Sequence, residues 1–259
     1  MIIIKDDNQI QKLREGGKRL AQVLRTVASH VAPGVTTLEL DKIARDEIAK
    51  LGDVPAFLNY RPEGASRPYP AALCTSVNNA IVHGLPGNYK LKEGDIISLD
   101  LGIKHNGLFT DHAITVAVGN ISHEAQNLMH TAENALYEGI QMARAGNTVG
   151  DISYAIEQAV RPHGYGIVRE LSGHGVGVHI HEDPYIPNYG KQGTGEKLKP
   201  GMVIAIEPMI NLGSQKIKMN KDDWTIETND GQISAHFEHT ILVTDDEPEI
   251  KKKKKTNKL

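Results

Sequence analysis

Two aspartates, Asp100 and Asp111, stand on either side of an Asn106-Gly107 pair, in strand-like text that runs from Asp95 to Ile103 and from Leu108 to Val118. Asn-Gly between such runs signals a two-residue hairpin turn. Folding there sets Gly102 opposite Asp111 and makes Asp100 its diagonal neighbour on the same face, ~7–8 Å away at the backbone. The apolar neighbours Ile96, Ile97, Leu99 and Leu101 imply burial, and a buried carboxylate needs a partner. Two converging anions raise one pKa unless a cation lies between them, which makes a divalent metal the natural third party. Taken alone, the pair is equally consistent with an Asp111 that simply caps a turn.

The second half of the chain shifts that balance. Gly173-His174-Gly175-Val176-Gly177 places an imidazole among glycines, followed by His179, His181 and the acidic pair Glu182-Asp183. Glu207 ends the apolar run Val203-Ile204-Ala205-Ile206, and Glu238 precedes the apolar strand Ile241-Leu242-Val243. Four carboxylates and one histidine on buried strands suit hard and borderline divalent ions, with room for two. Composition agrees: there are twelve histidines but only one cysteine, Cys74, so a Cys-type structural zinc site and an internal disulfide are both excluded. A lone cysteine fits a reducing compartment. Neither a dinucleotide nor a P-loop glycine fingerprint follows a strand.

These residues need a frame. Helical stripes run through Ile10, Leu13, Leu20, Leu24, Val27 and Val31, stopped by Pro33-Gly34, and through Leu40, Ile43, Ala44 and Leu51, opened by the capping box Thr36/Glu39 and ended by Gly52. The same text recurs: Leu128, Ala132, Leu136 and Ile140 stop at Ala145-Gly146, and Thr148/Asp151 opens Ile152, Ala155, Ile156 and Val160, ended by Pro162. A shift of 112 residues lays Gly34 on Gly146 and Thr36 on Thr148. Two copies of this size predict two similar halves, about 1–120 and 121–250, related by an internal pseudo-twofold. Each helix pair is followed by strand text: Leu73 to Val82 and the aspartate hairpin in the first half; Val203 to Ile210, Thr225 to Thr228 and Ile233 to Val243 in the second, with Asp230-Gly231 as a further hairpin signal. The expected class is α+β, with antiparallel sheets inside and helices outside.

The 259 residues carry 29 Lys+Arg against 32 Asp+Glu, a formal net charge of -3. No apolar run approaches the ~18 residues of a membrane span, and Met1–Ile4 leads directly into Lys5-Asp6-Asp7. A cytoplasmic, unprocessed protein is expected, without DNA or membrane as partner. Lys251–Leu259 is a basic tail; a disordered, solvated end is the default reading, and a weak contact with the ribosome or its RNA the alternative.

From residue 3 to 247 the chain resembles the methionine aminopeptidases of the type I, short bacterial form, in peptidase family M24 with its pita-bread fold. The resemblance rests on Asp100 and Asp111 at their eleven-residue step, His174, Glu207 and Glu238, together with Val82-His83-Gly84, His181-Glu182-Asp183-Pro184, Ile206-Glu207-Pro208-Met209 and Glu238-His239-Thr240. The His181–Glu207 interval lacks the insertion of the type II branch, and helical text from the start implies no zinc-finger extension. The resemblance implies two divalent ions (Mn, Fe, Co or Zn), one on Asp100, the other on His174 and Glu207, with Asp111 and Glu238 shared. It implies hydrolysis of N-terminal methionine from nascent proteins and peptides with a small second residue, by a metal-activated water. His181 would donate to the carbonyl oxygen, His83 would contact the scissile nitrogen, and Glu207 would move a proton to the leaving amine. Tyr69, Cys74 and Trp224 fall at the positions that surround the methionine thioether. A monomer acting on nascent chains is the family norm.

Departures lie around the same pocket. Ser66 and Ile180 stand where relatives often carry aromatics, Leu171 stands where an aromatic or Met is common, and the Tyr60–Pro70 loop is longer than usual. The expected consequence is a methionine preference that leaks toward other unbranched side chains. Two rivals bracket this reading. X-Pro peptidases of the same fold usually carry a separate amino-terminal domain, for which helical text from about residue 9 leaves no room. Non-catalytic relatives have lost metal ligands, whereas all five positions are filled here.

Overall fold

Asp6, Thr36, Ser122 and Thr148 each open a helix, for the reason their side chains suggested: an oxygen near the first turn satisfies amides that have no partner inside the helix. In a computed structural model that describes residues 2–250, these helices are α1 (Asp7–Ser29), α2 (Thr37–Leu51), α3 (His123–Met142) and α4 (Val149–Val160). Lys251–Leu259, the basic tail, lies outside the described residues. The Glu39 carboxylate accepts from Thr36 N at 2.7 Å, and Asp151 from Thr148 N at 2.7 Å; Glu39 N donates back to Thr36 Oγ1 at 3.2 Å, whereas Asp151 N donates to the Thr148 carbonyl at 3.1 Å. Gly52 closes α2 with φ 73°, a left-handed conformation that glycine adopts without steric cost. Pro162 does not end α4 abruptly, because the chain continues through the short 3-10 turn Arg161–His163.

Each helix pair covers its own antiparallel sheet. Leu20, Leu24 and Val27 of α1 and Leu40 and Ile48 of α2 bury against Leu99, Leu101 and Ile103 of the strand Ile96–His105. That strand is central, paired with Val54–Pro55, Leu73–Val77 and Leu108–Ala117. Leu128 and Leu136 of α3 and Ile152 and Ile156 of α4 bury against Ile204, Ile206 and Ile241 of a five-stranded sheet. Its order is Glu249–Ile250, His239–Leu242, Val203–Ile206, Ser172–Gly175, Glu182–Pro187. The pseudo-twofold is visible bond by bond: Gly34 N donates to Leu91 O as Gly146 N does to Leu198 O, and Gly94 N to Val118 O as Gly201 N does to Val243 O. Thr36 bridges Lys90 where Thr148 bridges Lys197.

The halves meet at several places, among them the pairing of Ala80–Val82 with Ile226–Thr228 and a seam along Leu108–Ala117. Asp111, Ala113 and Thr115, alternate residues of Leu108–Ala117, bond across to Thr240, Glu238 and His236. Glu238 N donates to Ala113 O at 2.9 Å, and Thr240 Oγ1 to Asp111 O at 2.8 Å. No helix among the described residues is long and apolar enough to cross a membrane.

Two expectations change. The strands read as Val203 to Ile210 and Ile233 to Val243 are each broken in two: Val203–Ile206 then Met209–Asn211, and Ser234–His236 then His239–Leu242. Both breaks switch the chain between the five-stranded sheet and a smaller one, in register, with His239 opposite Ile206 and His236 opposite Met209. Asp230-Gly231 is not a hairpin turn, since Ile226–Thr228 and Ser234–His236 belong to different sheets; the Asp230 carboxylate instead accepts from Ser214 N at 2.7 Å and Gln232 N at 3.1 Å. The glycine-rich segment around His174 forms the strand Ser172–Gly175.

Candidate metal centre

The Asn106-Gly107 turn holds the register read from the sequence: His105 pairs with Leu108, Gly102 with Asp111 and Asp100 with Ala113. Asp100 and Asp111 therefore share a face, and both are buried. Gly102, opposite Asp111, leaves that face open; a Cβ there would lie 2.9 Å from Ala56 Cβ and 3.0 Å from the Phe57 ring. His174 is brought in by a strand squeezed between two others. A Cβ on Gly173 would sit 2.3 Å from Ala205 O, and one on Gly175 2.2 Å from Asp183 O, so the flanking glycines are what allow this strand its place. The His174 Nδ1–H donates to Gly175 O at 2.8 Å, which leaves the Nε2 lone pair to the centre. Glu207 and Glu238 occupy the two strand breaks, where the chain leaves one sheet for the other and the side chain need not follow the pleat.

Asp111, His174 and Glu238 each offer a ligand atom within 4.8 Å of the others. Glu207 Oε1 lies 3.5 Å from His174 Nε2. Asp100 Oδ1 and Glu238 Oε1 are buried without a hydrogen-bond partner among the described residues, a costly arrangement for acceptors unless something cationic meets them. Burial first, and mutual repulsion second, push Asp100, Glu207 and Glu238 well above the ordinary carboxylate range. Burial lifts Asp111 to about 7, against the pull of the His112 amide that donates to it. Burial lowers His174 to about 3, so its imidazole is neutral and available as a ligand. Oxygen donors with one imidazole, held close and orphaned, fit a divalent cation well, and a cation would reverse every one of these carboxyl shifts.

Beside these five groups lies a cavity of about 380 Å³, lined by Phe57, Tyr69, Cys74, His83, His181 and Trp224 among others. Trp224 stands edge-on to Tyr69, ring centroids 5.2 Å apart. Asp222 fixes the turn that carries it, accepting from Trp224 N at 2.9 Å and Thr225 N at 2.8 Å. The Tyr69 hydroxyl donates toward Gly84 O at 3.1 Å. Cys74 pairs with Asp100 in the sheet, and burial beside that carboxylate raises its thiol, which stays protonated. His83 is half-buried, with φ 57°, and the surrounding protein lowers it to about 4. His181 stands at the exposed rim, also lowered to about 4, with its ring 4.5 Å from that of His174. The loop that presents it is anchored from below: Glu182 accepts from Val178 N and His179 N, and pairs with buried Lys5 at 2.5 Å.

The candidate metal ligands Asp100, Asp111, His174, Glu207 and Glu238, and with them His83, His181, Tyr69, Cys74 and Trp224, all line this one cavity. The structure does not bring Ser66 or Ile180 to the cavity: Ser66 is exposed, and Ile180 is buried against Gly102. Leu171 does line it. Sequence reasoning passed over His236, which lines the same cavity with Nε2 3.6 Å from Glu207 Oε2 and neither ring nitrogen hydrogen-bonded among the described residues. Its place two residues before Glu238 on a strand was the available signal. Tyr60, bonded to His181 Nδ1 at 2.8 Å, left no such signal.

Residues 11–245 match metallopeptidase family M24. The chain is 46% identical over 250 residues to a methionine aminopeptidase of Clostridium perfringens (96% of this chain, 98% of that one). It is 45% identical over 245 residues to methionine aminopeptidase 1 of Bacillus subtilis (95% and 96%). Among solved structures, the methionine aminopeptidase of Rickettsia prowazekii superposes with TM-score 0.93 at 38% identity, over 97% of this chain and 99% of that one. The prolidase of Pyrococcus furiosus shares the fold at TM-score 0.76 and 21% identity, this chain covering 66% of it.

Proposed function

Since the chain belongs to metallopeptidase family M24, at the similarity of its methionine aminopeptidases, we propose that it removes the N-terminal methionine from nascent proteins and peptides whose second residue is small. The observation that carries this reading is the convergence of Asp111, His174 and Glu238, with Asp100 and Glu207 beside them, at the end of a cavity walled by Tyr69, Cys74 and Trp224. The first set suits a divalent ion and the second a thioether, whose polarizable sulfur gains from aromatic and thiol neighbours.

Asp100, Asp111, His174, Glu207 and Glu238 would hold two ions, with Asp111 and Glu238 shared between them. Bound there, such ions supply a Lewis acid and make water nucleophilic near neutral pH. The chain's own residues do the rest. The aromatic cavity seats the methionine side chain and so sets the first peptide bond beside the carboxylates. His181 donates an N–H to the carbonyl oxygen as negative charge builds on it. His83, edge-on to Trp224 with ring centroids 6.5 Å apart, meets the scissile nitrogen. Glu207 carries a proton to that nitrogen as it leaves. With the side-chain seat closed by Tyr69 and Trp224, branched residues fit poorly, and unbranched ones such as leucine's linear isomer leak through. The enzyme works as a monomer in the cytoplasm; a weak contact of Lys251–Leu259 with the ribosome stays the alternative to a tail without such a role, and unchanged ribosome co-sedimentation at low salt after deleting the tail would discard it.

The test is release of free amino acid from Met-Ala-Ser, Leu-Ala-Ser and Ala-Pro peptides, by protein stripped of metal and reloaded with Mn, Fe, Co or Zn. Metal-dependent release of methionine, reduced at least about 100-fold in Glu238→Ala, is expected. Equal release from the Met and Leu peptides would refute a methionine seat. Cleavage only before proline would transfer the protein to the X-Pro branch, and absence of turnover with every metal would overturn the enzymatic reading.

A further inference from the structure

His181 has two ring nitrogens, and which one carries the proton decides what it can do. A neutral imidazole with its proton on Nε2 donates into the cavity; with its proton on Nδ1 it presents a lone pair there instead. Among the described residues the partner of Nδ1 is the Tyr60 hydroxyl at 2.8 Å, with the two rings 5.2 Å apart and tilted by 52°. Tyr60 is itself well fixed. It sits at the neck of the long loop, where its amide donates to Phe57 O at 2.9 Å and its carbonyl accepts from Tyr69 N at 2.8 Å. The far side of that loop is tethered by Arg67, which donates to Asp222 O at 2.7 Å. Partial burial raises the Tyr60 phenol, so its O–H remains a donor at neutral pH.

We propose that Tyr60 is a positioning residue: its phenolic O–H donates to His181 Nδ1 and thereby fixes the imidazole as the tautomer that presents Nε2–H to the substrate carbonyl. The inference rests on the reading of His181 as a donor to that oxygen. It gives the neck of the extended loop a role, since the same residue closes the loop and orients the histidine. The physical basis is that a ring nitrogen accepting an O–H cannot also carry a hydrogen, so the second nitrogen must.

The variant is Tyr60→Phe, which keeps the ring and the loop closure and removes only the hydroxyl. Two readouts are taken on zinc-loaded protein. The first is the pair of ¹⁵N shifts of the His181 side chain, assigned by their loss in His181→Gln; the second is kcat and KM on Met-Ala-Ser. Wild type should show the Nε2–H pattern and Tyr60→Phe a mixture of tautomers, with kcat lowered about 3- to 10-fold and KM within about twofold. Unchanged ¹⁵N shifts in the variant, or an Nδ1–H pattern in wild type, would overturn the proposal. So would a rise in KM alone, which would make Tyr60 a wall of the cavity. If wild type released no methionine, the reading of the activity would fall, while the ¹⁵N pattern would still decide the hydrogen bond.

Discussion

The centre is made of groups that each violate an ordinary preference. Asp100 and Asp111 are carboxylates in a sheet interior, Glu238 is buried at a strand break, and His174 is an imidazole among glycines. Such violations are what made them legible: an acidic residue after four apolar ones cannot be explained by packing. His236 offered only its place two residues before Glu238 as a signal, and Tyr60 offered none, so neither was assigned to the site from the sequence. The same physics predicts how the metal-free site titrates. Near pH 7.5 Asp100, Glu207 and Glu238 are held well above their usual range and Asp111 at about 7, while His174, at about 3, is already neutral. Binding a divalent ion requires the carboxylates ionised, so protons must leave, and they leave from the carboxyl groups rather than from the imidazole. Titrating zinc into metal-free protein in buffers of different ionisation enthalpy should reveal release of more than one proton per protein at that pH. Release near zero would show that the carboxylates are ionised before the metal arrives.

At the scale of elements, helices and the aspartate hairpin were readable because their signals are local: capping boxes, a 3.6 period, an Asn-Gly turn. The strand breaks at Glu207 and Glu238 were not, because a run such as Val203 to Ile210 looks uniform in sequence. Only the second sheet, which pairs Met209 with His236, explains why the chain switches there. The strand Ser172–Gly175 is rich in glycine, which disfavours strands in isolation. Its glycines answer a tertiary demand. Gly175→Ala would drive a Cβ to 2.2 Å from Asp183 O and displace the strand next to His174. The expected outcome is a loss of about 1–3 kcal/mol of stability, read from urea unfolding of metal-free protein, together with weaker zinc affinity measured by competition with a chelator. Retention of both would mean that the neighbouring strand yields freely.

For the whole molecule the consequence lies in where the ligands come from. Asp100 and Asp111 belong to the first half, His174, Glu207 and Glu238 to the second, so an ion bound by them adds a tie between halves already joined along Leu108–Ala117 and through the pairing of Ala80–Val82 with Ile226–Thr228. Stability should therefore depend on metal and pH together. The carboxyl groups have folded-state pKa values raised above their unfolded ones; their contribution is complete below the unfolded value of ~4 and is lost as pH rises toward the folded value. The histidines, lowered to between about 3 and 4, contribute above their unfolded value of ~6.5 and lose that contribution as pH falls. The two trends oppose each other between ~4 and ~6.5, but above ~6.5 only the carboxyl groups still titrate, so the metal-free protein should become less stable from pH 6.5 to 8. Metal reverses this by stabilising the ionised carboxylates that folding alone disfavours. Zinc at 100 times its dissociation constant adds about 2.7 kcal/mol, or roughly 5–10 °C in Tm for a chain of this size. At a fixed zinc concentration the gain should be larger at pH 8 than at 6.5, because fewer protons compete for the same oxygens. Thermal scans of the metal-free and zinc-loaded protein at both pH values decide it: a metal-free Tm that rises with pH, or a zinc gain that shrinks, would mean that the carboxyl cluster does not govern the coupling between the halves.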